Sequence, residues 1–419
     1  MNIEIINTGS ELLLGRVLNT HQQWLCRRLA DLGFVVTRQV AVPDTAHDIQ
    51  QAMREALARA DVVITTGGLG PTSDDLTRDL VAQLLGKKLC EDADIVRHIE
   101  NYFASRRRPM PPLTRVQALV PEGATVLPNK NGTAPGLAMK IEPNDFRADK
   151  KTSWLVMLPG PPRELRPMFG ELVTPLLLRE FPAEAPFVCR TLRTNGVGES
   201  VAQDKIAAPL QALVAAGLEI GYCARVGQVD VRLSARGADA ERIVREAEAI
   251  VQKILGANIY GFDDEEIETV LVRLLTERKK TLALAESCTG GNIAHRITNV
   301  PGASSVFLGG VVSYANEAKE IFLGVRSETL KEHGAVSEMV AREMAEGARK
   351  KFGANFALAV TGIAGPSGGT PDKPVGTVFI ALAGAFGTVV ERKLNSFDRA
   401  TFKELTAQQA LELLRLRMA

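Results

Sequence analysis

Cysteine is scarce in this chain and scattered where it occurs. Cys26, Cys90, Cys189, Cys223 and Cys288 are five in 419 residues, and no two form a CxxC pair. That spacing excludes a disulfide framework or a cysteine-ligated zinc site as the organising principle, and a reducing compartment is expected. Charge of either sign is almost balanced out. The formal net charge of +1 gives no overall attraction to nucleic acid or to an acidic membrane, so binding there would need a local patch. Long apolar runs are missing too: nowhere do about 18 apolar residues follow one another. The start, MNIEIINTGSELLLG, has no basic segment ahead of a long apolar core. The reading is a cytoplasmic protein without a membrane span or a nucleic-acid partner.

What is present is apolar material in quantity. Hydrophobic residues make up 45% and charged residues 24%, the balance of a globular protein. Because single cores stop growing near about 250–300 residues, two or three domains are expected. From Ile3 to about Thr174, short β-branched runs alternate with helical periodicity: Ile3–Ile6, Phe34–Val40 and Asp61–Thr66 read as strands, Thr20–Leu32 and Ala46–Ala60 as helices. This is the pattern of an α/β, doubly wound, largely parallel sheet, whose ligands sit at the carboxyl ends of strands. The loops beginning at Gly9 and Gly67 are the places to look.

A Pro-Gly-Pro-Pro run at 159–162 precedes a helical stretch from Glu164 to Phe181. Beyond it, Glu219–Ala224 and Gln228–Ser234 alternate as strands about a Val226-Gly227 turn, with an amphipathic helix from Asp239 to Leu255, a small α+β module that needs only its core to explain it. A third, α/β domain follows the acidic run 263–266. Its strands are Thr281–Ala285, Val306–Tyr314, Phe356–Thr361, Val375–Ala383 and Thr388–Leu394, and its last helix runs from Arg399 to Leu416. The expected domains are 1–174, 175–260 and 261–419.

The run Thr65-Thr66-Gly67-Gly68-Leu69-Gly70-Pro71-Thr72-Ser73-Asp74-Asp75 leaves a strand, turns through glycines and enters a helix. Glycine lets backbone N–H groups approach an anion, and Thr72 or Ser73 can cap the next helix, whose N-terminus attracts negative charge. Asp74 and Asp75 suit an oxygen-liganded divalent cation, Mg2+ or Mn2+, bridging to phosphate. A glycine turn before a well-capped helix explains the same residues without a ligand. With Gly9–Gly15 and Asn131–Gly136, the segment resembles the molybdopterin-binding (MoaB/MogA-like) fold. Its GPTSDDLT continuation is similar to the CinA family (competence/damage-inducible protein A), and that likeness runs from end to end. The resemblance implies a divalent-metal-dependent pyrophosphatase acting on ADP-ribose, with molybdopterin handling as the alternative. Gly67, Gly68, Gly70, Thr72, Ser73 and Asn131 are candidate substrate contacts, and Asp74 and Asp75 candidate metal ligands.

In the third domain Glu286-Ser287-Cys288-Thr289-Gly290-Gly291 joins a strand to a helix starting near Asn292. Free N–H groups there can hold a phosphate or an oxyanion, with hydroxyls from Ser287 and Thr289. A glycine-rich loop, Thr361-Gly362-Ile363-Ala364-Gly365, ends another strand, and Arg399 is a candidate phosphate clamp. The ESCTGG, GAS, SYANEAK and TGIAGPSGG segments together resemble the nicotinamide-nucleotide amidase domain of the CinA family. That likeness implies release of ammonia from nicotinamide mononucleotide, without a cofactor. By motif it makes Ser304 the nucleophile, Lys319 its base and Tyr314 a partner in proton transfer or oxyanion placement, and it puts Glu286, Ser287, Thr289, Gly290, Gly291, Asn316, Thr361, Gly362, Gly365 and Arg399 around the substrate.

A serine hydroxyl needs a neighbouring base, and none of the five histidines lies in SYANEAK. A lysine serves only if its pKa falls far below about 10.4 through desolvation or a helix N-terminus. Ser305 and Cys288 are the competing nucleophiles, the latter with His295 at helical spacing. The expected whole is a homodimeric, bifunctional enzyme of pyridine-nucleotide salvage; its rivals are a molybdopterin-processing protein and a non-catalytic partner in DNA uptake or repair.

Overall fold

The computed structural model describes residues 1–143, 145–182 and 185–418. Two compact units divide the chain, Met1–Phe187 and Val188–Ala419. Eight strands build the first: β1 Ile3–Thr8, β2 Val36–Val42, β3 Val62–Thr66, β4 Leu89–Glu91, β5 Leu119–Pro121, β6 Thr125–Leu127, β7 Gly136–Ile141 and β8 Ser153–Leu158. Six of them form a sheet in the order β2-β1-β3-β8-β7-β6, and β4 pairs with β5 separately. β2, β1, β3 and β8 are parallel, while β7 and β6 close one side antiparallel. Strands covered on both faces read as unbroken apolar runs, and alternate residues divide between two cores. Ile3, Ile5, Val62 and Ile64 enter one core; Ile6 and Val63 enter the other. The doubly wound expectation is met. From β1 the chain passes to β2 on one side and β3 on the other, so the crevice between the carboxyl ends of β1 and β3 is the topological switch point.

The expected boundary at 174 falls inside a continuous helical stretch. Helix Thr174–Glu180 sends Leu176 and Leu177 into the first unit's core, and the division comes at Phe187 instead.

In the second unit, the expected hairpin is present as β10 Glu219–Arg225 and β11 Gln228–Arg236, followed by helix Ala240–Leu255. The module is larger than the pattern suggested. β9 Phe187–Asn195, helix Glu199–Ala215 and β12 Ile259–Phe262 complete it, giving the strand order β10-β11-β9-β12. Pro209 sits inside the helix that periodicity did not reveal.

The C-terminal sheet contains β13 Leu282–Glu286, β14 Phe307–Val312, β15 Phe356–Gly362, β16 Thr377–Gly384 and β17 Gly387–Leu394, in the order β14-β13-β15-β16-β17. The first three are parallel, the last two antiparallel. Leu282 and Leu284 face one core with helix Arg399–Met418; Ala283 and Ala285 face the other with helix Glu338–Phe352. The same helix packs closely on helix Asn316–Leu323, where a Cβ on Gly347 would run into the Leu323 carbonyl oxygen.

Candidate active sites

The carboxyl ends of β13, β14 and β15 converge on Ser287. Its N–H donates to the Val360 oxygen at 3.0 Å, and Ser313 N–H donates to the Glu286 oxygen at 2.8 Å, so main-chain bonds hold the three strand ends together. Helix Asn316–Leu323 starts just beyond β14 and returns Lys319 to this point. Lys319 is 1% exposed, with Nζ 3.3 Å from Ser287 Oγ and 2.8 and 3.3 Å from the Ser313 and Tyr314 carbonyl oxygens. A neutral amine has two N–H donors and one lone pair: the carbonyls take the donors, which leaves the lone pair for the Ser287 hydroxyl proton. Burial lowers the Lys319 pKa, against a smaller opposing pull from Cys288 and Glu317.

Ser304 does not join this group. It is exposed in a 3-10 turn, Ala303–Ser305, that precedes β14. The parallel register Leu282↔Phe307 to Glu286↔Val312 puts that turn at the amino end of the sheet and Ser287 at the other. Five strand steps at about 3.3 Å separate the two ends by roughly 15 Å or more. Ser305, bonded to the Gly302 oxygen at 2.8 Å, shares the wrong end. Cys288 fails for another reason. It is buried among core residues, and burial pushes its thiol up to about 12, while His295 is exposed and turned to Asn299. Of the three hydroxyl and thiol candidates, none meets the base, and the loop serine does.

Several expected contacts turn out to build the loop. Glu286 Oε2 accepts from Thr289 Oγ1, Gly291 N and Ile293 N at 2.7, 3.0 and 3.1 Å, and Oε1 accepts from Ala294 N at 2.8 Å. The N-terminus of helix Asn292–Thr298 is thus filled by this chain's own carboxylate and is not open to a phosphate. Thr289 is consumed by Glu286, and Thr361 Oγ1 donates to the Ala335 oxygen at 2.7 Å. Gly362 lies so close to β16 that a Cβ would stand 2.8 Å from the Thr377 oxygen. Gly290 and Gly291 take φ of +62° and +95°, the left-handed turn that lets the loop reverse. Tyr314, Gly365 and Arg399 do come together: Arg399 donates to the Gly365 oxygen at 3.0 Å and to Tyr314 Oη at 2.6 Å. Asn316 is the exposed first residue of its helix. Lys403, which no motif drew attention to, lies over Gly290, its Nζ 3.5 Å from where a Cβ there would stand.

In the first unit a cleft of about 370 Å3 opens at the switch point. Gly67–Gly70, Asp74 and Asp75 line it as expected, together with Thr8, Gln117, Thr133 and Glu164. Thr72 and Ser73 do not cap the next helix, which begins only at Thr77 behind Leu76. Thr72 N–H donates to Asp75 Oδ2 at 2.9 Å instead, closing a local turn. Asn131 is exposed and outside the cleft lining; its N–H serves Asn129 Oδ1 at 2.9 Å. Five carboxylates line the cleft, Glu11, Asp44, Asp74, Asp75 and Glu164, and among the described residues no lysine or arginine does. Glu164 is buried, which raises its pKa, although Asn129 Nδ2 donates to it at 2.8 Å.

No three metal-ligating side chains converge on one point among the described residues. An all-oxygen cleft of this kind fits Mg2+ or Mn2+ nonetheless, since such ions are held by one or two carboxylates and complete their shell with water and substrate phosphate.

Three family models match the chain in succession: "Probable molybdopterin binding domain" at residues 4–179, "Damage-inducible protein CinA KH domain" at 189–261 and "CinA C-terminal domain" at 264–418. A CinA-like protein of Akkermansia muciniphila is 45% identical over 412 residues, covering 98% of this chain and 96% of its own length. Another, from Gemmatimonas aurantiaca, is 41% identical over 420 residues, covering 99% and 96%. Among solved structures, the competence/damage inducible protein CihA of Agrobacterium tumefaciens is 40% identical, covering 36% of this chain and 93% of that one, with a TM-score of 0.35. No helix among the described residues is long and apolar enough to cross a membrane.

Proposed function

The chain belongs to the CinA family, and from that premise we propose that its C-terminal domain is a serine amidohydrolase that converts nicotinamide mononucleotide to nicotinate mononucleotide and ammonia. The observation that carries this reading is the buried Lys319 amine 3.3 Å from Ser287 Oγ. Lys319 takes the hydroxyl proton as Ser287 Oγ bonds to the carboxamide carbon, and the carbonyl oxygen gathers the negative charge. The protonated amine then returns its proton to the departing nitrogen, and ammonia leaves an acyl ester on Ser287. Water, deprotonated by the same amine, cleaves that ester and restores the serine. Tyr314, tied to Arg399, borders this chemistry at the end of β14.

Ammonia release from nicotinamide mononucleotide is the test. Ser287→Ala should abolish it, whereas Ser304→Ala should retain it; the reverse result returns the nucleophile to the 3-10 turn.

A second activity is favoured by the acidic cleft of the first unit. We propose that it hydrolyses the pyrophosphate of ADP-ribose with a divalent cation held by Asp74 and Asp75. A diphosphate cannot enter a cleft lined by five carboxylates and no cationic side chain unless its charge is neutralised, which is what the bound cation supplies. Gly67–Gly70 offer close backbone approach to the phosphates. Formation of AMP and ribose phosphate that depends on added Mg2+ or Mn2+ is the expected result. Absence of that reaction, with molybdopterin bound instead, would transfer this unit to pterin handling.

A further inference from the structure

Two helices begin beside Ser287, and neither offers its N-terminus to an anion. Glu286 fills that of Asn292–Thr298. Asp398 fills that of Arg399–Met418, its Oδ1 accepting from Ala400 N and Thr401 N at 3.0 and 3.1 Å. Arg399 is also engaged, with one terminal nitrogen on the Gly365 oxygen and the other on Tyr314 Oη. One helical turn further, Lys403 projects from the same side of the last helix.

Lys403 is part-buried, and its Nζ stands over Gly290. The Gly290 N–H in turn donates to the Ser287 oxygen at 3.1 Å. The ammonium therefore overhangs the loop that carries the nucleophile. Neighbouring Glu404 is engaged elsewhere, with Asn292 Nδ2 at 3.1 Å and Arg296 at 3.3 Å. Among the described residues Lys403 has no hydrogen bond or ion pair. Its ammonium is part-exposed and meets no counter-charge from the described residues, so it is available to an anionic ligand, and it borders a site whose proposed substrate bears a phosphate monoester.

We propose that Lys403 binds the phosphate of the mononucleotide and makes the amidase selective for nucleotide over nucleoside, with Arg399 positioning Tyr314 rather than clamping phosphate. The inference rests on the amidase reading and names the part of the substrate that this reading leaves unrecognised. The chemistry it requires is a compact dianion near a strongly hydrated point charge, which an ammonium provides.

The test uses the full chain and two substrates, nicotinamide mononucleotide and nicotinamide riboside. Lys403→Met should raise KM for the nucleotide about tenfold or more with kcat nearly unchanged, and leave kcat/KM for the riboside as it was. Lys403→Arg should recover most of the nucleotide KM. An unchanged nucleotide KM overturns the proposal, and so does an equal loss on both substrates, which would mean a structural role. Binding of inorganic phosphate, followed by NMR line broadening, is a readout independent of turnover: wild type should bind more than Lys403→Met, and equal binding overturns the assignment. If wild type releases ammonia from neither compound, it is the amidase reading that fails, while the phosphate comparison still decides the role of Lys403.

Discussion

Lys319 is worth most as a base where it is uncharged, and burial has moved its pKa in that direction. A lysine with a lowered folded pKa is neutral over a wider alkaline range than the free side chain near about 10.4. Amidase kcat/KM should accordingly rise with pH and level off below that value; a rate flat across the alkaline limb would remove Lys319 from the proton transfer. Lys319→Met should cost about 10²–10⁴-fold in kcat. Because the folded state binds fewer protons than the unfolded one between the lowered and the ordinary pKa, this group makes stability increase with pH in that window. The methionine variant should therefore keep or raise the urea midpoint at neutral pH. Cys288 behaves oppositely to a nucleophile. With its pKa pushed up to about 12 by burial, it holds little thiolate at neutral pH. Iodoacetamide should label exposed Cys90 and Cys223 in the native protein and leave ammonia release intact, as mass spectrometry and assay together would report; inactivation matched to Cys288 labelling would contradict the geometry.

A motif fixes which residues recur together, not where the fold brings them. By motif Ser304 was paired with Lys319 of the next segment, whereas the amine lies beside Ser287. Periodicity places strands without saying which end of a strand a neighbouring loop occupies. One rule would have decided it: Ser304 precedes its strand, Ser287 follows one, and parallel sheets present their chemistry at carboxyl ends. Lys403 carried no signal at all, since a lone lysine on a helix looks like any solvated one.

At the scale of elements, the ESCTGG loop is held by one carboxylate. Four donors share the two oxygens of Glu286, and an amide nitrogen at that place would face N–H groups it cannot accept from. Glu286→Gln should cost about 1–3 kcal/mol in urea unfolding of the second unit and depress amidase activity along with it. An unaltered midpoint would mean that the helix end is satisfied by water. Packing gives a second expectation. In helix Glu338–Phe352 alanine is intrinsically better than glycine by about 1 kcal/mol, yet at Gly347 a methyl would collide with the Leu323 carbonyl. Overpacking should win, so Gly347→Ala should destabilise by about 1–3 kcal/mol; a stabilised variant would show that the helix can shift outward. The inner strands β13, β15 and β16 were legible because they are buried on both faces and so read as apolar runs. Helix Glu199–Ala215 was not, because Pro209 and the mixed face around it break the period that betrays a surface helix.

For the whole molecule, the two units have separate cores and separate candidate chemistries. A chelator should stop ADP-ribose hydrolysis and spare ammonia release. Loss of both would tie the amidase to the cation as well. The interval from Ser313 to Lys319 is a length as much as a sequence. Two carbonyls in this run, those of Ser313 and Tyr314, hold the amine of the lysine that ends it. One residue inserted there would turn the lysine by about 100° around its helix. Additions and deletions along this stretch are therefore barred, whatever side chains it carries beside Tyr314 and Lys319.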